Sequence, residues 1–229
     1  MRLNVIGSSP AWPNPGSAHS GYMLEADGSR VLLDCGPGVL GRLRETATWP
    51  EVDAIAITHF HLDHWDAGAI TRFLRNNPEA LFASTADGTP MMPWDVRERV
   101  RSLWSASGEA SRLEIAGAIV SAFPLQHGKT QNLGYRLELG GKSLAHLGDA
   151  DASEENFRRL TTAGGVDVAM VPFWWLLEAE AVAFMKTTWK PKNVIALHFG
   201  STDLDSVPKV QAAWPNVWAA TKALESRTY

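Results

Sequence analysis

The chain has almost no cysteine: Cys35 is the single one in 229 residues. No disulfide can form within it, and a reducing compartment suits it. No apolar run reaches transmembrane length. The opening MRLNVIGSSPAWPNPG is interrupted by prolines after a short apolar stretch, too broken for a signal peptide. These lacks predict a cytoplasmic protein with no membrane partner. A dense Lys/Arg run is also missing, and the formal net charge is −4. Nothing in that balance supplies the electrostatic footprint of a nucleic-acid binder, so no nucleic-acid partner is expected. With no Ser/Gly-rich linker, charge block or fixed-period repeat, residues 1–229 read as one domain. What is present is ordinary for a globular domain: 45% hydrophobic and 20% charged residues, enough to build a core.

Short apolar runs bounded by Gly, Pro or Asp predict strands at 2–6, 22–25, 30–34, 54–58 and 81–83. A second series follows at 113–115, 119–124, 134–139, 143–147, 166–171 and 193–197, with Gly140–Gly141 as a hairpin turn. Helical patterns fall at 38–45, 67–76, 93–104, 154–162, 176–187 and 207–214. Asp66 and Ser153 stand where N-caps belong. Two groups of strands, each followed by helices, are compatible with two sheets packed face to face with helices outside.

The stretch that carries chemistry is Ile57-Thr58-His59-Phe60-His61-Leu62-Asp63-His64. Three imidazoles and a carboxylate follow directly on a predicted strand. Neutral imidazole nitrogen and carboxylate oxygen suit zinc, manganese or iron. The two sides of a tight turn can address two ions, His59 and His61 towards one, Asp63 and His64 towards the other.

This H-x-H-x-D-H string resembles the signature of the metallo-β-lactamase superfamily. The resemblance extends upstream to Leu32-Leu33-Asp34-Cys35-Gly36-Pro37-Gly38, and downstream to His127, Asp149 and His198. It implies an α/β fold, the four-layered αββα sandwich of two mixed sheets flanked by helices. It also implies two divalent metal ions, zinc first, with manganese or iron as alternatives. His59, His61 and His127 would hold one, Asp63, His64 and His198 the other, and Asp149 would bridge. Asp34 and Thr58 would brace the ligands by hydrogen bonds. The implied reaction is hydrolysis through a metal-bridging hydroxide, with Asp63 orienting the nucleophile or accepting its proton.

Five of the seven histidines enter this pattern. His146 and His19 are left as packing and loop residues, Cys35 as a small buried apolar group, Asp66 as a cap and Lys129 as a solvated cation. Of the ten tryptophans most must be packing, but Trp65, Trp174 and Trp175, together with Trp12, fall in loops near the predicted metal end. Trp65, Trp174 and Trp175 are the candidates for an apolar wall to a substrate pocket. Within the superfamily the chain is similar to the ribonuclease Z-like and lactonase-like branch, but only 22 positions separate His127 from Asp149, leaving no room for a tRNA-holding arm. A small ester-type substrate, phosphodiester or lactone, is therefore expected. The competing class is a metal-dependent oxidoreductase or a ligand-binding sensor on the same fold. Apolar residues in 176–187 and 216–229 offer a homodimer contact.

Overall fold

Alternation at period two decides which way each strand faces. In the computed structural model, which describes residues 1–46 and 51–229, the first half of the chain forms β1 (Arg2–Gly7), β2 (Gly21–Ala26), β3 (Ser29–Leu33), β4 (Ala54–Ala56), β5 (Leu81–Ser84) and β6 (Val100–Ser102). The second half forms β7 (Ser111–Ile115), β8 (Ala118–His127), β9 (Thr130–Leu139), β10 (Lys142–His146), β11 (Val168–Pro172), β12 (Asn193–Leu197) and β13 (Trp218–Ala219). The last strand, β14 (Ser226–Thr228), returns to pair with β1. The result is two seven-stranded sheets, ordered β14-β1-β2-β3-β4-β5-β6 and β13-β12-β11-β10-β9-β8-β7. Each is mixed: β1 to β3 and β7 to β10 pair antiparallel, β3 to β6 and β10 to β13 parallel.

The odd and even positions of these strands go to different cores. Leu3, Tyr22, Leu24, Val31 and Leu33 face Leu133, Tyr135, Leu137, Leu144 and Met170 between the sheets. Met23, Leu32, Ile55 and Phe82 turn outward and are covered by α1 (Val39–Leu43) and α2 (Ala67–Asn76). A short α3 (Gly88–Met91) follows β5. On the far sheet Ala169, Val171, Val194 and Ala196 are covered by α4 (Glu154–Ala163), α5 (Ala179–Phe184) and α6 (Val207–Ala213). This is the expected αββα layering. Each fully buried Leu or Val is worth roughly 1.5–3 kcal/mol, so a one-residue slip in any central strand would exchange two cores at once. The Tyr135 hydroxyl crosses between the sheets and donates to the Ile57 carbonyl at 2.8 Å.

The caps stand where the sequence puts them: Asp66 accepts from the Ala69 amide at 2.9 Å and Ser153 from Asn156 at 3.3 Å. Gly140 and Gly141, at φ 59° and 66°, make the β9–β10 turn.

Two helices differ from expectation. Residues 93–104 form a 3₁₀ turn, Trp94–Arg99, and then β6, which pairs with β5. Val96, Val100 and Leu103 are buried at helical spacing, which a turn followed by an edge strand satisfies equally well. The helix at 176–187 is broken into a 3₁₀ turn (Phe173–Leu176), α5 and a π turn (Met185–Trp189). Of its apolar residues Leu176, Ala181, Phe184 and Met185 are buried in the outer core, as is Val217 of the tail, while Trp218 packs between the sheets and Leu177 and Leu224 are exposed. Among the described residues no helix is long and apolar enough to cross a membrane.

Candidate metal centre

Strand ends deliver every residue of the site. The His59–His64 loop follows β4, His127 closes β8, Asp149 follows β10 and His198 follows β12. The loop is tied down by backbone bonds: Cys35 N–H donates to the His64 carbonyl at 2.8 Å and Ser20 N–H to that of Asp63 at 3.0 Å. Gly36 permits this closeness, because a Cβ there would stand 2.2 Å from the Asp63 carbonyl oxygen. Gly148 serves Asp149 in the same way. Its φ is 58°, and a Cβ would meet Asn132 Oδ1 at 2.5 Å and Thr58 Cβ at 2.7 Å. His198 itself sits at φ 69°, a left-handed conformation that is costly for a side-chain-bearing residue.

Seven side chains converge as two groups. His59, His61, His127 and Asp149 form one, and Asp63, His64, Asp149 and His198 the other, with donor atoms in each group all within 4.8 Å of one another. Asp149 belongs to both. His198 Nε2 lies 3.1 Å from Asp149 Oδ2 and 3.2 Å from Asp63 Oδ2, and His64 Nε2 lies 3.3 Å from Asp149 Oδ1.

Hydrogen bonds on the far side of the rings set which nitrogen is bare. His64 Nδ1 is 2.9 Å from Asp34 Oδ2, so it carries the proton and leaves Nε2 as a lone pair. His59 Nδ1 meets Thr58 Oγ1 at 3.0 Å, and that hydroxyl donates onward to Asp34 at 2.9 Å. The inward atoms His59 Nε2, His64 Nε2, His127 Nε2 and Asp149 Oδ1 are buried and have no hydrogen-bond partner. Buried polar atoms left unpaired cost about 1–3 kcal/mol each, and four converging on the two donor groups fit bound cations. Five imidazoles and two carboxylates with no thiolate suit a divalent ion.

Charges around the site reinforce this. Burial alone would push Asp63, Asp149 and Asp34 up, yet His64 and its neighbours hold all three carboxyls well below their usual range. Burial opposes the charged form of His64 and His198, but Asp149 with Asp34 or Asp63 raises both, His198 to about 9. His59 moves the other way, lowered by burial and then by His64. In this crowd of charges a divalent cation would take the place of the protons.

Asp34 is the brace. Fully buried, it accepts from the Thr58 amide at 2.8 Å, the Thr58 hydroxyl, His64, and His146 Nε2 at 2.8 Å. The role of His146 was not expected from sequence, although a signal existed: it lies two residues from Leu144, hence on the same inward face, and a buried imidazole there needs a partner. Thr130, whose hydroxyl is 3.1 Å from His61 Nε2, and Asp151, 3.9 Å from His127 Nδ1, were also missed.

The three tryptophans separate. Trp174 packs edge-on against His198, ring centroids 5.3 Å apart, and is the one that borders the donors. Trp175 corrects the expectation of a pocket wall: it is fully buried in the outer core, its indole N–H donating to the Ala150 carbonyl at 2.7 Å. Trp65 is also buried, edge-on to Phe60 beneath the loop. Trp12 is almost wholly exposed.

Residues 29–200 match the family described as the beta-lactamase superfamily domain. The chain belongs to the metallo-β-lactamase superfamily. Within it, ribonuclease Z of Bradyrhizobium diazoefficiens is 29% identical over 65% of this chain, and the chain spans 56% of that relative's length. A UPF0173 protein of Pyrococcus abyssi is 28% identical over 90% of this chain and 93% of its own. Among solved structures of the superfamily's fold, YhfI from Bacillus subtilis superposes with a TM-score of 0.76 at 15% identity, covering 99% of this chain and 98% of that one. A diphosphatase from the PhnP family superposes at 0.70 and 20% identity, covering 100% and 97%.

Proposed function

We propose that the chain is a hydrolase of a small ester-type substrate, a phosphodiester or a lactone, dependent on two divalent metal ions, with zinc the first choice. The observation that carries this reading is the pair of donor groups sharing Asp149. His59, His61 and His127 would hold one ion, and Asp63, His64 and His198 the other. Two such ions would acidify a water and polarise the ester's oxygen, opening its phosphorus or carbonyl carbon to that water. The chain's own residues do the rest. Asp63, held as a carboxylate by His198 and His64, would orient the attacking water or accept its proton. Asp34 and Thr58 keep His59 and His64 in the tautomer that presents Nε2. Trp174 shields one flank of the site beside His198.

The relatives named ribonuclease Z and the structure named a diphosphatase favour a phosphorus ester over a lactone. The net charge of −4 and the short span from His127 to Asp149 favour a small substrate over a folded RNA. The test is to load the protein with Zn²⁺ or Mn²⁺ and assay a chromogenic phosphodiester, a lactone and a short RNA, with Asp63→Ala as control. Diester turnover lost in the variant is the expected result. Lactone cleavage alone would move the reading to carboxylic esters. RNA cleavage alone would remove the small-substrate choice, and silence on all three would remove hydrolysis. Oxygen uptake by iron-loaded protein would support an oxidoreductase instead.

A further inference from the structure

Beside His127 lies a cleft that the reading above leaves unused. Its walls include Trp104, His127, Lys129, Thr130, Gln131 and Arg159. One wall is the β8–β9 hairpin, whose turn carries Lys129 two residues after His127. The other is the segment after β6, where Trp104 packs on the core between the sheets and so presents a fixed ring. Arg159 is spoken for. Its guanidinium donates to Glu155 at 2.7 Å and to the Pro124 carbonyl at 2.8 Å. Thr130 is engaged with His61. Asp151 is also near, but its carboxylate accepts from the Gly128 amide at 2.9 Å and lies 3.9 Å from His127 Nδ1. Lys129 is different: among the described residues no ion pair or hydrogen bond of its ammonium is found, and it is exposed at the cleft's edge.

A flat ring and an uncommitted ammonium, lining the same cleft as one candidate metal ligand, make a two-part recognition surface. We infer that this cleft receives the leaving group of the substrate, and that Lys129 and Trp104 select a leaving group combining a planar ring with an anionic substituent. The inference rests on the hydrolase reading for the word leaving, but the surface exists independently of the reaction. Trp104 supplies a stacking face, which tolerates any aromatic or heteroaromatic ring. Lys129 supplies a point charge that accepts carboxylate or phosphate without demanding one orientation. Because Arg159 is held in place by Glu155 and the Pro124 carbonyl, the charge free to reach a ligand in the cleft is that of Lys129.

The experiment compares two methyl aryl phosphodiesters, with 4-carboxyphenol and 4-carbamoylphenol as leaving groups, which differ in charge but hardly in shape. In zinc-loaded wild-type protein kcat/KM favours the carboxylated ester. In Lys129→Ala that preference falls about fivefold, the upper range for one exposed charge pair, and Lys129→Arg restores it. An unchanged preference in Lys129→Ala overturns the assignment. Should the protein cleave neither ester, titration of the zinc-loaded protein with 4-hydroxybenzoate and 4-hydroxybenzamide still decides the cleft. Weaker benzoate binding in Lys129→Ala, with benzamide unmoved, keeps the subsite while the hydrolase reading falls. Equal binding of both by wild-type and variant removes the subsite. Trp104→Phe keeps a ring against the core and is expected to retain binding of both ligands, whereas Trp104→Leu weakens both alike; no loss in Trp104→Leu would strike the ring from the proposal.

Discussion

Replacing Asp34 with asparagine changes one buried charge and almost no volume, and its consequences follow from the four donors that its carboxylate serves. Oδ1 accepts from the Thr58 amide and hydroxyl, and Oδ2 from His64 Nδ1 and His146 Nε2. An asparagine has one acceptor oxygen. Whichever pair keeps it, the other pair of donors meets an NH₂ group. If the histidines meet it, His64 must shift its proton to Nε2 to accept at Nδ1, and the lone pair aimed into the metal centre disappears. If Thr58 meets it, a buried backbone N–H loses its partner, and the hydroxyl that orients His59 must lean on the remaining oxygen, 3.1 Å away, which disturbs that ring. Either arrangement weakens zinc binding about 10- to 100-fold, the usual effect of removing a group that orients a metal ligand, or roughly 1.4–2.7 kcal/mol. Asparagine is a better probe than alanine because position 34 has φ 58°, which Asn tolerates and Ala does not. Competition for zinc with a chromophoric chelator reads the affinity, and circular dichroism reports whether the fold survives. A folded Asp34→Asn protein that binds zinc as tightly as wild type would refute the bracing argument.

Adjacent tryptophans should behave in opposite ways. Trp175→Ala opens a cavity in the outer core and leaves the Ala150 carbonyl only the longer bond from the Trp174 indole, so urea unfolding should show a loss of about 3–5 kcal/mol. Trp174→Ala should cost little stability but raise KM in the hydrolase assay; unchanged kinetics would take Trp174 out of the substrate wall. Asp167 binds the Ser143 amide at 2.8 Å and Lys192 at 2.7 Å, which lower its carboxyl to about 2 from the usual 3.8. Because the folded value is the lower one, the stabilisation is present above about pH 4 and is lost as pH falls through about 2. With Lys192 mostly solvated it amounts to roughly 1 kcal/mol. The stability gap between wild type and Asp167→Ala should therefore shrink below pH 4, and a gap that stayed constant would contradict this.

The parts of this molecule that are legible in its sequence are those where one physical pattern has one structural solution. Leu3/Val5, Val31/Leu33 and Ile195/Leu197 alternate with residues of an outer core, and strands result. The run from His59 to His64 has little use except to gather donors. Illegible parts are those where a pattern has two solutions. The spacing of Val96, Val100 and Leu103 suits a helix, but the structure uses it for a turn and an edge strand. Strands as short as β13 and β14 bury too little to leave a pattern at all; their partners, not their residues, create them. Trp174 and Trp175 are indistinguishable in sequence, since a 3₁₀ turn after Pro172 sends one ring to His198 and the next into the core. The partnership of His146 with Asp34 spans 112 positions, so only the sheet pairing reveals it.

The two donor groups are unequal, and the difference predicts an order of filling. The group of Asp63, His64, Asp149 and His198 has two carboxylates and is mostly buried; that of His59, His61, His127 and Asp149 has one and includes the exposed His61. A divalent ion gains more from two negative donors than from one, because the attraction scales with charge in a poorly solvated site. Preorganisation points the same way: His64 is locked by Asp34, whereas His61 is held by a single bond to Thr130. The first zinc equivalent should therefore enter the group of His198, and the second should bind more weakly at the group of His127. Stepwise calorimetric titration should resolve two events in the wild type. His127→Ala should abolish the weak event, and His198→Ala should weaken the tight one. If His127→Ala instead removed the tight event, the argument from carboxylate count and burial would be wrong, and exposure of the open group to solvent would matter less than its three imidazoles.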